Sequence, residues 1–155
     1  MKTKTHTISY SICELHELNA EDKVLINNAL EALNNSYSPY SHFKVGAAIM
    51  AEDGTIIKGC NQENMAYPSG LCAERSALFA MGSLGKKAKT IALAARNDNN
   101  EPATAMPCGS CCQALIEHEK LISKHDIRVL ILCKDESVIV FDNIKSLLPF
   151  SFELE

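Results

Sequence analysis

The chain contains 155 residues, of which 46% are hydrophobic and 22% are charged, and its formal net charge is -4. This balance is typical of one soluble domain, which we expect to span residues 1–155, and it argues against two domains. Because the basic residues are scattered and outnumbered by acidic ones, we do not expect the protein to bind a nucleic acid polymer.

The N-terminal segment contains two lysines, but no long apolar stretch follows them, so it does not resemble a signal peptide. The longest uninterrupted apolar run, 129–133, is far shorter than the ~20 residues that cross a bilayer. The chain contains seven cysteines. An odd number without an export signal favours a reducing compartment, so we predict a cytoplasmic protein without a membrane partner, whose clustered cysteines bind metal or are reactive.

The first half of the chain is predicted to form a helix followed by a β-hairpin. Asn19, with Asp22 three residues later, marks the start of the helix, which is expected to end by Asn35. Two apolar segments, 43–51 and 55–61, are separated by an Asp-Gly pair, which is typical of a tight turn between two strands.

The second half is predicted to alternate helices with buried strands. Helices are expected over 71–81 and 108–119, and a short helix over 143–148 ends before a proline. Three continuous apolar runs that are typical of buried strands cover 90–95, 127–133 and 138–141. This order predicts an α/β fold, a three-layer α/β/α sandwich around a central mixed five-stranded sheet.

Three of the cysteines lie at the predicted starts of two helices. Cys72 begins a Cys-Ala-Glu triplet, and Cys108 and Cys111 form a Cys-x-x-Cys pair directly after Pro107. Free N–H groups at a helix start stabilise thiolates, and residues three apart on a helix face the same side. The three cysteines are therefore predicted to bind one zinc ion and to leave its fourth tetrahedral position open, as in catalytic zinc sites.

Two residues beside Cys72 complete this predicted centre. Glu74 is placed to reach the open position without binding the metal, so we predict that it carries protons. Three thiolates around zinc leave excess negative charge, which predicts that Arg75 donates to the sulfurs. Two alternatives stay open, namely a closed structural site completed by Cys112 or a histidine, and a redox-active cysteine pair. The isolated cysteines expected to pack as ordinary buried side chains are Cys13, Cys60 and Cys133.

These motifs resemble those of the homotetrameric, zinc-dependent cytidine deaminases. The segments that carry the resemblance are 39–48, 59–64, 67–75, 107–111 and 147–149. The match runs from about Ala20 to Phe152, and it implies the cytidine deaminase-like fold with one zinc ion per subunit. One position departs from the family, which usually has Arg where this chain has Cys112. Because Cys112 points about 100° around the helix from Cys111, we predict that it is a neighbour of the metal and not a ligand.

The resemblance implies hydrolytic deamination of cytidine and 2′-deoxycytidine in pyrimidine salvage. Zinc would lower the pKa of a water, and Glu74 would carry protons from that water to N3 of the ring and to the departing amine. Asn61 and Glu63 would bind the ribose hydroxyls. Phe43 would line the pyrimidine pocket, and Phe152 would enter a neighbouring subunit's site and stack on the base.

The resemblance also implies supporting contacts. Main-chain groups of Ala73 and Met106 would orient the pyrimidine, and Tyr40 and Tyr67 would support the site near the subunit contact. Simple packing is the alternative for each aromatic residue, and a role in a turn is the alternative for Asn61. For the whole protein, the alternatives are a deaminase of another aminated pyrimidine nucleoside or of a blasticidin S-type antibiotic, and an inactive zinc-binding homologue.

Overall fold

A computed structural model describes residues 1–153, so the last two residues of the predicted domain, 154 and 155, lie outside the described part. The helices of this part are α1 (Ala20–Ala32), α2 (Ala73–Ser83) and α3 (Gly109–Glu117), which continues as a π-helical stretch, His118–Ser123. Short 3-10 helices cover Leu15–Glu17, Leu33–Asn35, Tyr67–Ser69 and Ile144–Leu147. The strands are β1 (Ser11–Glu14), β2 (Lys44–Ala51), β3 (Ile56–Cys60), β4 (Ala88–Arg96), β5 (Pro102–Ala103), β6 (Arg128–Leu132) and β7 (Ser137–Phe141).

The seven strands form one mixed sheet in the order β1-β7-β6-β4-β2-β3, with β5 paired to β4. Strands β4 and β6 are parallel, and the chain between them contains α3. The predicted α/β sandwich around a mixed sheet is confirmed, but the predicted number of five strands is wrong. The two additional strands are β1, which has only one partly buried residue, and β5, which has two residues. Neither contains the buried apolar run by which the other five were predicted.

Helix α1 covers one face of the sheet. As predicted, Asn19 caps the helix, because its Oδ1 accepts a hydrogen bond from the backbone N–H of Asp22 at 2.8 Å. The carboxylate of Asp22 also accepts two hydrogen bonds from the guanidinium of Arg128, at 3.0 and 3.1 Å. This bidentate pair ties the first turn of α1 to the start of β6.

Two glycines allow the helices to approach the β2–β3 hairpin closely. A Cβ on Gly46 would lie 2.1 Å from the carbonyl oxygen of Ala29 in α1, and a Cβ on Gly59 would lie 2.4 Å from the backbone nitrogen of Ala77 in α2. These distances are too short for any residue that carries a Cβ. The backbone of α2 therefore packs directly on β3. This contact fixes the position of α2, which begins directly after Cys72.

Helices α2 and α3 cover the opposite face, where they enclose the larger apolar cluster of the protein. The two helices contact each other, and α3 also contacts the C-terminal 3-10 helix. None of the described helices is long and apolar enough to cross a membrane.

Candidate functional site

Three cysteine sulfurs lie together where α2 and α3 begin. Cys72 is the N-cap residue of α2, Cys108 is the N-cap residue of α3, and Cys111 lies in the first turn of α3. Their sulfur atoms all lie within 4.8 Å of one another. The separation is 3.9 Å between Cys72 and Cys108 and 3.5 Å between Cys108 and Cys111. Among residues 1–153 this is the only such group of three potential metal ligands.

The geometry of this cysteine cluster fits zinc. Zn–S bonds of about 2.3 Å at tetrahedral angles place sulfur atoms about 3.8 Å apart, and the two measured separations lie on either side of that value. Cys112 is directed elsewhere: its thiol is buried among apolar residues and donates to the carbonyl oxygen of Pro107 at 3.7 Å. Burial raises the pKa of the Cys112 thiol to about 11. Within the described residues, the cluster therefore offers three potential metal ligands.

The charges around the sulfurs favour thiolate formation at Cys72. Its sulfur accepts hydrogen bonds from the Cys111 thiol and, at 3.7 Å, from Nη2 of Arg75. These hydrogen bonds, that from Cys111 first, lower the pKa of Cys72 to about 5. The same interaction with Cys72, followed by burial, raises the pKa of Cys111. Arg75 thus lies where excess negative charge would collect.

Glu74 lies in the first turn of α2, and only 4% of its surface is exposed. Burial, followed by the negative charge at Cys72, raises the pKa of the Glu74 carboxyl to about 7. A carboxyl group with such a pKa can both accept and release a proton near neutral pH, which is the property required of a general acid–base catalyst.

A cleft of about 570 Å³ lies beside the cysteine cluster. Cys72, Arg75, Asn61 and Glu63 all line it, so the predicted ribose-binding residues share one cleft with part of the predicted metal centre. Tyr40 and Tyr67 also line the cleft, and their rings are in edge contact, with centroids 6.1 Å apart.

The carboxylate of Glu63 is held by the segment that precedes β2. It accepts hydrogen bonds from the backbone N–H groups of Tyr40 at 2.9 Å and Ser41 at 3.2 Å, and from the hydroxyl of Ser41. Burial tends to raise the pKa of Glu63, but the hydrogen bonds outweigh it and hold this pKa below its ordinary value. Sequence reasoning assigned no role to Ser41, although Ser41 lies within one of the recognised motifs.

The side chain of Asn61 is also held by the protein. Its Oδ1 accepts hydrogen bonds from Ser36 Oγ at 2.6 Å and from the backbone N–H of Val45 at 2.9 Å. Its Nδ2 donates to the carbonyl oxygen of Phe43 at 2.9 Å. One amide hydrogen therefore stays available for a ligand in the cleft.

The remaining predicted substrate-binding residues lie at different places. Phe43 is half-buried just before β2, and Ala73 is fully buried at the start of α2. Met106 is exposed two residues before Cys108. Phe152 is 71% exposed and lines a separate, smaller cleft beside α3. Within one chain, the structure does not bring Phe152 to the cleft that contains Glu63.

The other cysteines are free thiols. Of the three that were expected to be buried, Cys133 is buried, whereas Cys13 and Cys60 are only partly buried.

Comparison with known proteins identifies one family. A family model described as the cytidine and deoxycytidylate deaminase zinc-binding region matches residues 19–124. The cytidine deaminase of Mycobacterium tuberculosis is 40% identical over 107 residues, which cover 68% of this chain and 78% of that protein. The cytidine deaminase of Halalkalibacterium halodurans is 42% identical over 95 residues, which cover 61% and 70% of the two chains.

Solved structures of similar fold are also named cytidine deaminase. The crystal structure of cytidine deaminase from Burkholderia pseudomallei has a TM-score of 0.72 and 36% identity, and the match covers 83% of this chain and 97% of that one. The structure of the enzyme from Mycobacterium tuberculosis has a TM-score of 0.66 and 33% identity, with 88% and 100% of the chains covered. The sequence and structural matches thus agree.

Proposed function

The chain belongs to the cytidine and deoxycytidylate deaminase family, and we propose that it catalyses the zinc-dependent hydrolytic deamination of cytidine and 2′-deoxycytidine to the corresponding uridines and ammonia. The observation that carries this proposal is the placement of three sulfurs at zinc-compatible distances beside the buried carboxyl group of Glu74 and a cleft that Asn61 and Glu63 line. The activity is that of a hydrolase acting on the C4–N4 bond of the pyrimidine.

Cys72, Cys108 and Cys111 would hold one zinc ion, and Arg75 would offset the negative charge of their thiolates. When bound, zinc supplies a Lewis acid that makes a water nucleophilic at neutral pH. Glu74 takes up one proton at its carboxylate and delivers it to N3 of the ring, then moves the second proton to the amine at C4. Water contributes oxygen to C4, the C4–N4 bond breaks, and ammonia leaves. One proton of the water ends on N3 and the other on ammonia, which balances the reaction.

The cleft supports a nucleoside as substrate. The Glu63 carboxylate offers acceptors to ribose hydroxyls, and its lowered pKa keeps it charged at neutral pH. A negative charge at this position repels a 5′-phosphate, so a nucleoside is favoured over a nucleotide. The free amide hydrogen of Asn61 provides a donor to the sugar. Phe43 and the main-chain groups of Ala73 and Met106 contribute contacts to the base.

The complete site is shared between subunits of a homotetramer. Phe152 is exposed and lies outside the Glu63 cleft of its own chain, which supports a role in a neighbouring subunit's site. The exposed ring of Tyr67 and its contact with Tyr40 support an interface near the cleft. Each subunit is a single domain over 1–155, and its free cysteines are suited to the reducing cytoplasm.

The proposed activity is tested by following the absorbance change of cytidine and deoxycytidine with the purified, zinc-loaded protein. Glu74→Gln should retain zinc but lose activity by roughly 10³-fold or more, because the proton carrier is removed. If the wild-type protein and this variant both hold zinc and are equally inactive, the enzyme proposal is wrong and an inactive zinc-binding homologue is the correct interpretation.

The sharing of sites is tested with mixed assemblies of two defective chains, one carrying Glu74→Gln and the other Phe152→Ala. After unfolding and refolding together in equal amounts, about a quarter of the sites should combine an intact Glu74 with an intact Phe152 from a neighbour. Activity above that of both separate variants is expected. Activity equal to the average of the two would mean that Phe152 acts within its own chain or not at all.

A further inference from the structure

The C-terminal segment is attached to α3 by one side chain. Nε2 of Gln113 donates to the carbonyl oxygen of Phe152 at 2.9 Å, and the backbone N–H of Phe152 donates to Oε1 of Gln113 at 2.9 Å. The two residues are 39 positions apart in the chain, so this contact exists only in the folded protein.

A primary amide is well suited to hold a backbone in register. Its donor and acceptor lie in one plane, as in a peptide group, and here they satisfy both backbone groups of the same residue. A shift of the segment by one residue would break both hydrogen bonds at once. Gln113 therefore fixes the position of Phe152 itself and not only the general course of the segment.

The hydrogen bonds hold the backbone of Phe152 while its side chain stays available. The Phe152 ring is 71% exposed, and in its own chain it lines a cleft that Ile116 and Leu121 also line. An anchored backbone with an exposed aromatic ring is the arrangement expected of a residue that is presented to another surface. Gln113 also follows Cys111 by two residues, so the C-terminal segment is attached to the helix that begins at the cysteine cluster.

A second polar contact joins this segment to the helical stretch, and it is expected to be weaker. Lys120 pairs with Glu153, but both side chains are substantially exposed, and exposed ion pairs contribute little because water screens them. Lys120 therefore provides a matched control: it lies on the same helical stretch and contacts the residue next to Phe152, but it does not fix the Phe152 backbone.

We propose that Gln113 is a positioning residue that holds Phe152 in place for stacking on the pyrimidine bound in a neighbouring subunit. This inference rests on the proposed function and extends it to a residue that does not touch the substrate. It predicts that the hydrogen bonds of Gln113 matter for substrate binding and not for proton transfer.

The anchoring is tested first without reference to activity, by hydrogen–deuterium exchange of the peptide that contains residues 149–153 in the zinc-loaded protein. Gln113→Met keeps the length of the side chain and removes both hydrogen bonds, and Gln113→Asn keeps the amide but is too short to reach. Both should accelerate exchange of the Phe152 amide about 10-fold, with zinc content unchanged, because two hydrogen bonds are lost. Lys120→Ala should change it less than 2-fold. Unchanged exchange in both Gln113 variants would overturn the proposal.

The positioning role is tested by steady-state kinetics with cytidine. Gln113→Met should raise KM about 10-fold with kcat nearly unchanged, since a contact used equally in the ground and transition states is weakened. If Gln113 acts through Phe152, adding Gln113→Met to Phe152→Ala should cause little further loss. Independent, multiplying effects of the two substitutions, or a fall in kcat alone, would overturn the proposal. An inactive wild-type protein would instead overturn the proposed function, and the exchange experiment would still report on the anchoring.

Discussion

The two sides of the candidate site are organised in opposite ways. On the proposed metal side, the sulfurs of Cys72 and Cys108 do not cap their own helices. They contact each other, Cys108 also contacts Cys111, and Cys72 accepts a hydrogen bond from Arg75. On the proposed sugar side, the polar atoms of Asn61 and Glu63 are hydrogen-bonded to the segment 36–45. Hydrogen bonds to another segment of the chain therefore already order the proposed sugar side, whereas a bound ion would add most to the order of the cysteine cluster.

The largest effect is expected from substituting Cys111, a proposed zinc ligand, and the adjacent Cys112 provides the comparison. Cys111→Ser should abolish stoichiometric zinc binding and lower activity below detection, because a catalytic site with three ligands loses one of them. Zinc content is measured by atomic absorption after gel filtration, and thermal unfolding is followed in parallel.

Cys112→Ser is the matched control for this substitution. The Cys112 thiol lies in the apolar cluster and contacts the carbonyl of Pro107, so this variant should keep its zinc and most of its activity while losing some stability. Loss of zinc in Cys112→Ser would show that Cys112 belongs to the metal site and would contradict its assignment as a neighbour of the cysteine cluster.

An intermediate effect is expected on the sugar side. Asn61→Ala removes three hydrogen bonds, to Ser36, Phe43 and Val45, and leaves partly buried groups without partners. The free energy of unfolding should fall by about 2 kcal/mol, as measured by urea denaturation of the zinc-loaded protein, and KM for cytidine should rise. Zinc content should stay at one per chain. If zinc were lost as well, the two sides of the site would not be independent.

The smallest expected effect depends on pH. Ser41→Ala removes a hydrogen bond that lowers the pKa of Glu63. A carboxyl group whose pKa is lower in the folded protein stabilises it above the unfolded pKa, and this stabilisation disappears as pH falls through the folded pKa. The wild-type protein should therefore be more stable than Ser41→Ala at pH 7, by less than about 1 kcal/mol because Glu63 is partly exposed.

The difference in stability between these two proteins should narrow as pH falls below the ordinary Glu pKa of about 4.3, when thermal unfolding is compared across pH. The backbone N–H of Phe43 also donates a hydrogen bond to Ser41 Oγ, at 3.1 Å. A constant difference from pH 7 to pH 3 would assign the effect to loss of this hydrogen bond or of packing instead of to the charge on Glu63.

The helices and main strands could be predicted because their signals are local. Asn19 with Asp22 marks a helix start through neighbouring residues, and the Asp-Gly turn defines the hairpin between β2 and β3. Strand β1 could not be predicted in this way, because three of its four residues are exposed and it forms by pairing with β7, more than a hundred positions away.

The candidate site also contains features that local sequence signals predict and features that depend on contacts between distant residues. The Cys-Ala-Glu and Pro-Cys-x-x-Cys motifs indicate a metal centre because their spacing fixes geometry within one helical turn. The contacts of Ser41 with Glu63 and of Gln113 with Phe152 join residues 22 and 39 positions apart. A serine in a turn and a glutamine on a helix carry no pattern of their own, so these contacts emerge only when the chain is folded.

Strand β1 also determines which backbone groups are exposed at one edge of the sheet. An unpaired strand edge is a template for intermolecular pairing and aggregation. Strand β7, which contributes Val138 to the apolar core, has β1 along that side. The outermost strand is thus only four residues long and ends at the charged residue Glu14. Strand β1, which lies before residue 19 and so outside the family match, therefore covers the β7 side of the sheet with a short strand.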